Sequence, residues 1–168
     1  AKACPGRIWS RTLVGSKLVR VVISLWDYIK TESKISEIKG EKKMLENSII
    51  EHCAPTLAGI KSGNLFRYRF AVKEKVLKEL AEINLKLNIR GVYAEVVRWE
   101  KEAVLIYTYR KSHLERELQQ EGVRELLGEY GYPDCEVKNC LDHLKKRLYE
   151  YGCFPHEIGV FLGYPLED

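Results

Sequence analysis

Residues 103–109 constrain the fold more than any other part of the chain. They read AVLIYTY, so apolar or aromatic side chains occupy both of the alternating faces. Successive side chains of a strand point to opposite faces, and a strand of this composition must therefore be covered on both. We predict that this segment is the central strand of a sheet, with packed layers on either side.

Two further strands are predicted to accompany the central one. Residues 91–99 (GVYAEVVRW) precede it by three charged residues, a connection short enough for a hairpin. In residues 64–70 every second side chain is aromatic, which is typical of a half-buried strand. The core-facing residues are predicted to be Phe66, Tyr68 and Phe70, and the outward-facing residues Arg67 and Arg69.

The clearest predicted helix spans residues 71–88, where apolar residues recur at helical spacing. Its apolar stripe comprises Val72, Val76, Leu80, Ile83 and Leu87. A shorter helix over residues 46–53 is predicted to stop at Pro55, because proline lacks an amide hydrogen. Farther along, Ser112 and Glu115 have the spacing of a capping box and predict another helix start.

The last third of the chain predicts further helices that glycine and proline separate. Helical spacing continues to Gly128, and Asp134 suits the start of a helix whose apolar stripe includes Cys140. Pro155 suits the first turn of a final short helix, and Gly163 suits its end. The strands and helices do not alternate, so we predict an α+β fold. It comprises a small three-stranded antiparallel sheet, one strand plus a hairpin, packed by about six helices.

Charge is distributed unevenly along the 168 residues. Residues 1–43 hold ten of the 28 Lys and Arg residues but four of the 24 Asp and Glu residues. The remainder therefore carries 18 basic and 20 acidic residues, and the only methionine, Met44, stands where the composition changes. We predict that residues 1–43 are an N-terminal extension outside the fold. Residues 44–168 are predicted to form one α+β domain, truncated at its C-terminus because no closing element precedes Asp168.

Composition and patterning disfavour several classes of protein. The body from Met44 onward has a net charge of −2, and it lacks the basic footprint of a nucleic-acid surface. Residues 18–29 are apolar but fall short of the roughly 20 residues that a membrane span needs. Arg20 interrupts that run and no cleavage site follows, which argues against a signal peptide. We expect a cytoplasmic protein with no membrane span and no nucleic-acid partner.

The cysteine content points to a reducing compartment. Five cysteines occur, at positions 4, 53, 135, 140 and 153, which is an odd number without a secretion signal. Free thiols in the cytosol are therefore expected. Cys53, Cys153 and His156 each lie near a predicted helix end and are candidates for ligands of a transition metal. The alternative is that they are small buried side chains, and no other cofactor is predicted.

Two stretches rich in proline, glycine and cysteine predict a candidate site. Residues 49–70 combine a helix end, Pro55, glycines and a cysteine, and residues 151–166 repeat that combination. Such a composition is typical of a corner where two backbones approach closely, so we predict that the stretches pack together. No catalytic residue is predicted. The candidate binding residues that would line the surface between them are Cys53, Thr56, Lys61, Asn64 and His156.

Two segments resemble a known family. HCAPTLAGIKSGNLF at residues 52–66 and YGCFPHEIGVFLGYPLED at residues 151–168 are similar to an uncharacterised family of small proteins from anaerobic Gram-positive bacteria, domain of unknown function 3793. The resemblance runs from Met44 to Asp168 and leaves residues 1–43 uncovered. It implies that related chains continue past Asp168 with a further aromatic-rich segment. The family has no assigned activity, so the resemblance implies no catalytic residue.

The sequence predicts a binding or accessory protein, with a protein or a small ligand as its partner. A thiol- or metal-dependent enzyme using Cys53 and His156 is one alternative, because a cysteine nucleophile needs a nearby base. A helix–turn–helix-like DNA-binding module in residues 156–168 is another. There, Glu167 and Asp168 would repel phosphate. No phosphate-loop, dinucleotide-binding or zinc-protease motif occurs, and the prediction therefore leans away from an enzyme.

Shortening the chain to begin at Met44 tests the predicted domain boundary. We expect an unchanged denaturant midpoint, because an extension outside the fold contributes no packing to the folded state. A loss of more than about 2 kcal/mol in the free energy of unfolding would show that residues 1–43 include a packed element.

Overall fold

The computed structural model describes residues 45–151 and 154–165. The predicted N-terminal extension over residues 1–43 lies outside these ranges, as do Gly152, Cys153 and the three residues 166–168. The predicted boundary at Met44 and the predicted truncation at Asp168 therefore stay predictions.

Three strands and six α-helices make up the described ranges, which confirms the predicted α+β class. The strands are β1 (Gly63–Arg69), β2 (Val92–Trp99) and β3 (Ala103–Arg110). The helices are α1 (Leu45–Leu57), α2 (Lys73–Leu87), α3 (Lys111–Leu118), α4 (Glu121–Glu129), α5 (Val137–Tyr151) and α6 (Ile158–Phe161). A short 3-10 turn (Asn88–Arg90) follows α2. Within the same ranges, none of the helices has the length and apolar character needed to cross a bilayer.

The sheet is antiparallel, and β3 is its central strand. The strand order is β1-β3-β2, with Gly63 of β1 and Tyr93 of β2 both opposite Tyr109 of β3. β2 and β3 form the predicted hairpin, with a register shift in β2 between Val96 and Arg98. All of residues 103–109 are buried. This burial confirms that the central strand is covered on both faces.

Alternate residues of β3 enter two separate apolar cores. The α1/α2 core lies on one face and contains Leu45, Ile49, Cys53, Phe66, Val76, Leu80, Ile83, Ala94, Val104 and Ile106. The C-terminal core lies on the other face. It contains Leu65, Leu105, Tyr107 and Tyr109 from the sheet, together with Leu114, Leu118, Val123, Leu127, Leu144, Leu148, Ile158 and Phe161 from α3 to α6. The sheet therefore separates the two halves of the molecule.

Strand β1 has the predicted register but not the predicted exposure. As predicted, the residues that face the α1/α2 core are Phe66, which is buried, and Tyr68 and Phe70, which are partly buried. Leu65 is buried on the opposite face, because the C-terminal helices cover that side of the sheet as well. On the same face Arg67 is partly exposed and forms an ion pair of 2.6 Å with Glu100. The first part of the strand is therefore packed on both faces, whereas Arg69 at its end is exposed, as predicted.

The predicted end of α1 at Pro55 was wrong. The helix contains Pro55 and continues to Leu57. Proline removes the hydrogen bond of its own amide and crowds the carbonyl four residues earlier, but the amides after it are unaffected, and Ala58 donates to the Ala54 carbonyl at 2.9 Å. Moreover, the Arg110 side chain donates hydrogen bonds to the carbonyls of Thr56 (2.7 Å) and Leu57 (2.5 Å), which stabilises the last turn beyond the proline.

The predicted capping box at Ser112 and Glu115 was also wrong. Helix α3 begins at Lys111, directly after β3, and its extended N-cap residue Arg110 makes no side-chain capping hydrogen bond. The strand thus leads into the helix before the serine is reached.

Helix α2 begins one residue later than its predicted apolar stripe. Val72 of that stripe is 52% exposed, because it precedes the helix in an extended conformation.

The C-terminal helices follow their predicted signals more closely. Asp134 accepts a hydrogen bond of 2.8 Å from the backbone amide of Glu136, just ahead of α5. Cys140 is buried on that helix, as its place in the apolar stripe predicts. Pro155 contributes its carbonyl to the turn that leads into α6, and Gly163 follows this helix with a φ of +72°.

The register of β1 can be tested by truncating Phe66. Phe66→Ala is expected to lower the free energy of unfolding by about 3–5 kcal/mol in chemical denaturation, because the ring is only 3% exposed. Phe70→Ala is the matched control and should cost less, since that ring is only partly buried. A near-neutral Phe66→Ala would contradict this assignment of faces, because a register slip of one residue would move the ring to the opposite face.

Candidate functional site

Residues 56–64 and residues 161–164 lie against each other and form a surface that we call the corner. It combines the end of α1, the turn after it and the start of β1 with the end of α6. The Lys61 ammonium donates a hydrogen bond of 3.2 Å to the Tyr164 hydroxyl, across the junction. The structure thus brings together the two stretches that the sequence predicts to pack.

Gly63 allows the closest approach in the corner. A Cβ atom at this position would lie 2.6 Å from the Phe161 carbonyl oxygen and 2.6 Å from the Tyr107 ring. The Tyr107 hydroxyl donates a hydrogen bond to the same carbonyl, so neither neighbour is free to move away. Only a residue without a side chain fits here.

Gly163 makes the second close approach. Its φ of +72° is in the left-handed region that favours glycine, and a Cβ atom there would lie 3.0 Å from the Ser62 hydroxyl oxygen. The glycine content that marked both stretches in the sequence therefore has a physical cause, which is direct contact between the two backbones.

The turn after α1 is held firmly by hydrogen bonds. The backbone amides of Ile60 and Lys61 both donate to the Pro55 carbonyl, at 2.8 and 3.2 Å. The Arg110 amide donates to the Ser62 carbonyl at 2.9 Å, and the Arg110 guanidinium holds the end of α1. A cation at this place also complements the negative end of the helix dipole. The turn is therefore built on the scaffold rather than loosely attached to it.

Three of the predicted site residues lie in the corner. Thr56 is buried, and its hydroxyl donates a hydrogen bond of 2.7 Å to the Asn64 side chain, so this pair ties α1 to β1. Lys61 is partly exposed, with its ammonium 4.4 Å from the centre of the Tyr164 ring. Next to Lys61, Ile60 is 80% exposed. Ile60, Lys61 and Tyr164 carry the large accessible side chains of the corner, and the backbone beside them is also accessible at Ala58 and Gly59.

Cys53 does not line this surface. Its side chain is fully buried in the α1/α2 core. Burial raises the pKa of the Cys53 thiol to about 12, against a smaller opposite effect of the neighbouring Thr108 hydroxyl. The thiol is therefore protonated at neutral pH and out of reach of solvent, which is unlike a cysteine nucleophile.

His156 lies on the other side of the sheet from Cys53. Phe154 and Ile158, two residues before and two residues after His156, both belong to the C-terminal core. Burial lowers the pKa of His156, and so does Arg147, whereas Glu157 opposes them. The structure does not bring Cys53 and His156 together.

Metal binding by the predicted set finds no support within the described ranges. Cys153 lies outside them, and the remaining pair is separated by the sheet. No group of three or more His, Cys, Asp or Glu side chains in the described part of the chain is arranged to hold a metal ion. The three cysteines within that part, Cys53, Cys135 and Cys140, carry free thiols.

A buried polar cluster beside His156 was not predicted. Glu157 is fully buried, and its carboxylate accepts hydrogen bonds from Arg147 and from the Tyr132 hydroxyl, the latter at 3.1 Å. Burial disfavours the charged guanidinium, but Glu157 outweighs this effect and raises the pKa of Arg147. The Arg147 guanidinium also lies 5.1 Å from the centre of the Tyr130 ring. Both partners of the carboxylate are internal, so the cluster fixes α6 to α5.

No sequence signal identified this cluster. Arg147 follows two lysines on α5 and has the charge pattern of an exposed helix face, while Glu157 lies ten residues on. A shallow, open depression of about 360 Å³ lies elsewhere on the described surface. Its lining comprises Ser112, Glu115, Arg116, Gln119 and Gln120, none of which is a predicted site residue.

Adding one methyl group at Gly63 tests the close packing of the corner. Gly63→Ala is expected to lower the free energy of unfolding by about 1–3 kcal/mol, because the new Cβ atom would overlap fixed neighbours. Gly128→Ala is the matched control. No atom lies within 4 Å of a Cβ there, and alanine should stabilise α4 by up to about 1 kcal/mol. A neutral Gly63→Ala would show that the two backbones are not in contact.

Comparisons with known proteins place the chain in a family. The family model described as "Protein of unknown function (DUF3793)" matches residues 49–168, well over half of the chain. No curated protein and no solved structure matches at a significant level. The resemblance seen in the sequence is thereby confirmed, and the chain belongs to the DUF3793 family of proteins of unknown function.

Proposed function

We propose that this chain is a bacterial, cytosolic binding protein that recognises a partner protein through the corner. The observation that carries the proposal is Ile60, which is 80% exposed on a turn that the scaffold holds in place. Binding residues often lie on loops that a rigid scaffold positions, and burying an exposed apolar side chain against a partner favours association.

The rigidity of the turn matters for affinity. Association costs free energy when loops and side chains must be ordered at the interface. Here the Pro55 carbonyl accepts two backbone hydrogen bonds from the turn, and Arg110 fixes the helix end before it. Ile60 is therefore presented without a large ordering cost on binding.

The neighbouring side chains indicate the chemistry of the partner. Within the described ranges, the Lys61 ammonium has no carboxylate partner, and its hydrogen bond and its cation–π contact are both made with Tyr164. An acidic group on the partner would pair with Lys61, while an apolar side chain covers Ile60 and Tyr164. We therefore propose a protein segment that combines an apolar anchor with a nearby carboxylate.

The two other candidate functions receive less support. An enzyme using Cys53 needs a thiolate beside a base, but this thiol is buried, has a raised pKa and lies across the sheet from His156. In a helix–turn–helix the second helix reads the DNA, and in residues 156–168 it would begin with Glu167 and Asp168, which repel phosphate. Helix α6 has four residues, all of them buried, and so offers no face to a groove. Free thiols within the described ranges support the cytosolic assignment.

A phage-displayed library of random peptides, selected against the full chain, tests this function. We expect selected peptides to combine an apolar residue with Asp or Glu, and to bind in fluorescence-polarisation titrations. Ile60→Asp and Lys61→Glu should each weaken their binding at least tenfold, because they remove the apolar anchor and the charge complement.

The control is Lys138→Glu, the same charge change at an exposed position of α5. It should leave peptide binding unchanged. If no peptide is selected, or if selected peptides bind the Ile60→Asp and Lys61→Glu variants as well as the unaltered chain, the corner is not the recognition surface.

A further inference from the structure

Exposed apolar residues are concentrated on one helix away from the corner. The described ranges contain eight large hydrophobic residues that are exposed, and four of them lie on α2 or at its two ends. These four are Val72 (52%), Leu77 (52%), Leu85 (74%) and Ile89 (87%). This concentration distinguishes α2 from the other helices, whose outer faces are mainly polar.

Leu77, Ala81 and Leu85 form a ridge along the outer face of α2. They are spaced four residues apart, and residues at this spacing form a continuous row on a helix surface. The inner face is occupied, since Val76, Leu80 and Ile83 are buried against the sheet. We call the outer row the α2 ridge.

Helix α1 approaches α2 from a different side and leaves the ridge open. Glu79 of α2 accepts a hydrogen bond from the Leu45 amide, and Lys86 forms an ion pair of 3.0 Å with Glu46. Both contacts lie on the side of α2 away from Leu77 and Leu85. The ridge is therefore a free surface within the described ranges.

We propose that the α2 ridge is a homodimer interface, in which two copies of α2 pack antiparallel about a two-fold axis at Ala81. Ridges of this spacing pack into the grooves of a facing helix, and a small central residue allows close approach. In this arrangement Leu77 of one copy lies opposite Leu85 of the second copy. Leu77 and Leu85 of both copies thereby gain apolar partners.

The charges beside the ridge are complementary under the same symmetry. Lys78 and Glu82 lie along one side of the ridge, both exposed, and neither forms an ion pair with another described residue. Antiparallel pairing about Ala81 brings Lys78 of each copy beside Glu82 of the other. Two-fold symmetry makes both ion pairs at once, which is characteristic of a self-complementary interface. This charge pattern is why we assign a second copy, rather than another protein, to the ridge.

Sedimentation equilibrium of the full chain over a concentration series tests the dimer. We expect reversible dimerisation, and Leu85→Glu should abolish it because it places a charge in the apolar row. Lys78→Glu and Glu82→Lys should each raise the dimer Kd about tenfold or more. Each replaces two attractions by two repulsions.

Mixing the two charge variants gives the sharpest test. Lys78→Glu and Glu82→Lys chains, each weakened alone, should form a heterodimer with affinity near that of the unaltered chain. In that mixed pair both contacts are again between opposite charges. Lys138→Glu, which changes a charge elsewhere, should dimerise normally.

Three results would overturn the proposal. One is a chain that stays monomeric at every concentration, including the case in which residues 1–44 cover the ridge. Another is a dimer that persists in Leu85→Glu. The third is a failure of the two charge variants to restore one another.

Discussion

The burial of β3 on both faces is the constraint from which the rest of the structure follows. Within the described ranges, the Thr108 hydroxyl of β3 is buried without a hydrogen-bond partner. The other side-chain polar groups on the buried part of this strand have internal partners, because an unpaired buried hydroxyl is costly. Tyr107 therefore donates to the Phe161 carbonyl, and Tyr109 donates to Glu95 at 2.7 Å. Lys145 of α5 pairs with the same carboxylate at 2.8 Å. Through these contacts the central strand sets the positions of α5 and α6.

The corner is a consequence of the same strand. The hydroxyl of Tyr107 holds the end of α6, and Gly63 leaves room for that carbonyl beside β1. On its other side α6 is held by the carboxylate of Glu157, which would be left buried without a counter-charge if Arg147 were removed. Because residues 157–161 are fixed at both ends, the Tyr164 side chain that follows them lies beside Lys61. The exposed part of the corner is therefore positioned by fully buried groups.

The elements that were predicted correctly are those whose pattern lies within a few neighbouring residues of the sequence. The hairpin, the register of Phe66 and the inner face of α2 all follow from periodicity, and glycine and proline marked the corner. Features that depend on distant partners were missed or misplaced. The length of α1 depends on Arg110, more than fifty residues away, and the pairing of Glu157 depends on a turn that periodicity does not describe. Cys53 is spaced four residues after the buried Ile49, so helical spacing could have placed it in the core.

The chemistry of the corner and that of the α2 ridge favour different partners. The ridge is apolar along its centre, with opposite charges that are complementary to a second copy, whereas Lys61 in the corner has only Tyr164 beside it. A two-fold dimer through α2 would carry two corners on one particle. A partner with two matching segments then binds its second corner at a raised effective concentration, without any new contact. Weak recognition by a small surface such as Ile60 and Lys61 becomes useful under that condition, because avidity compensates for the limited area of each contact.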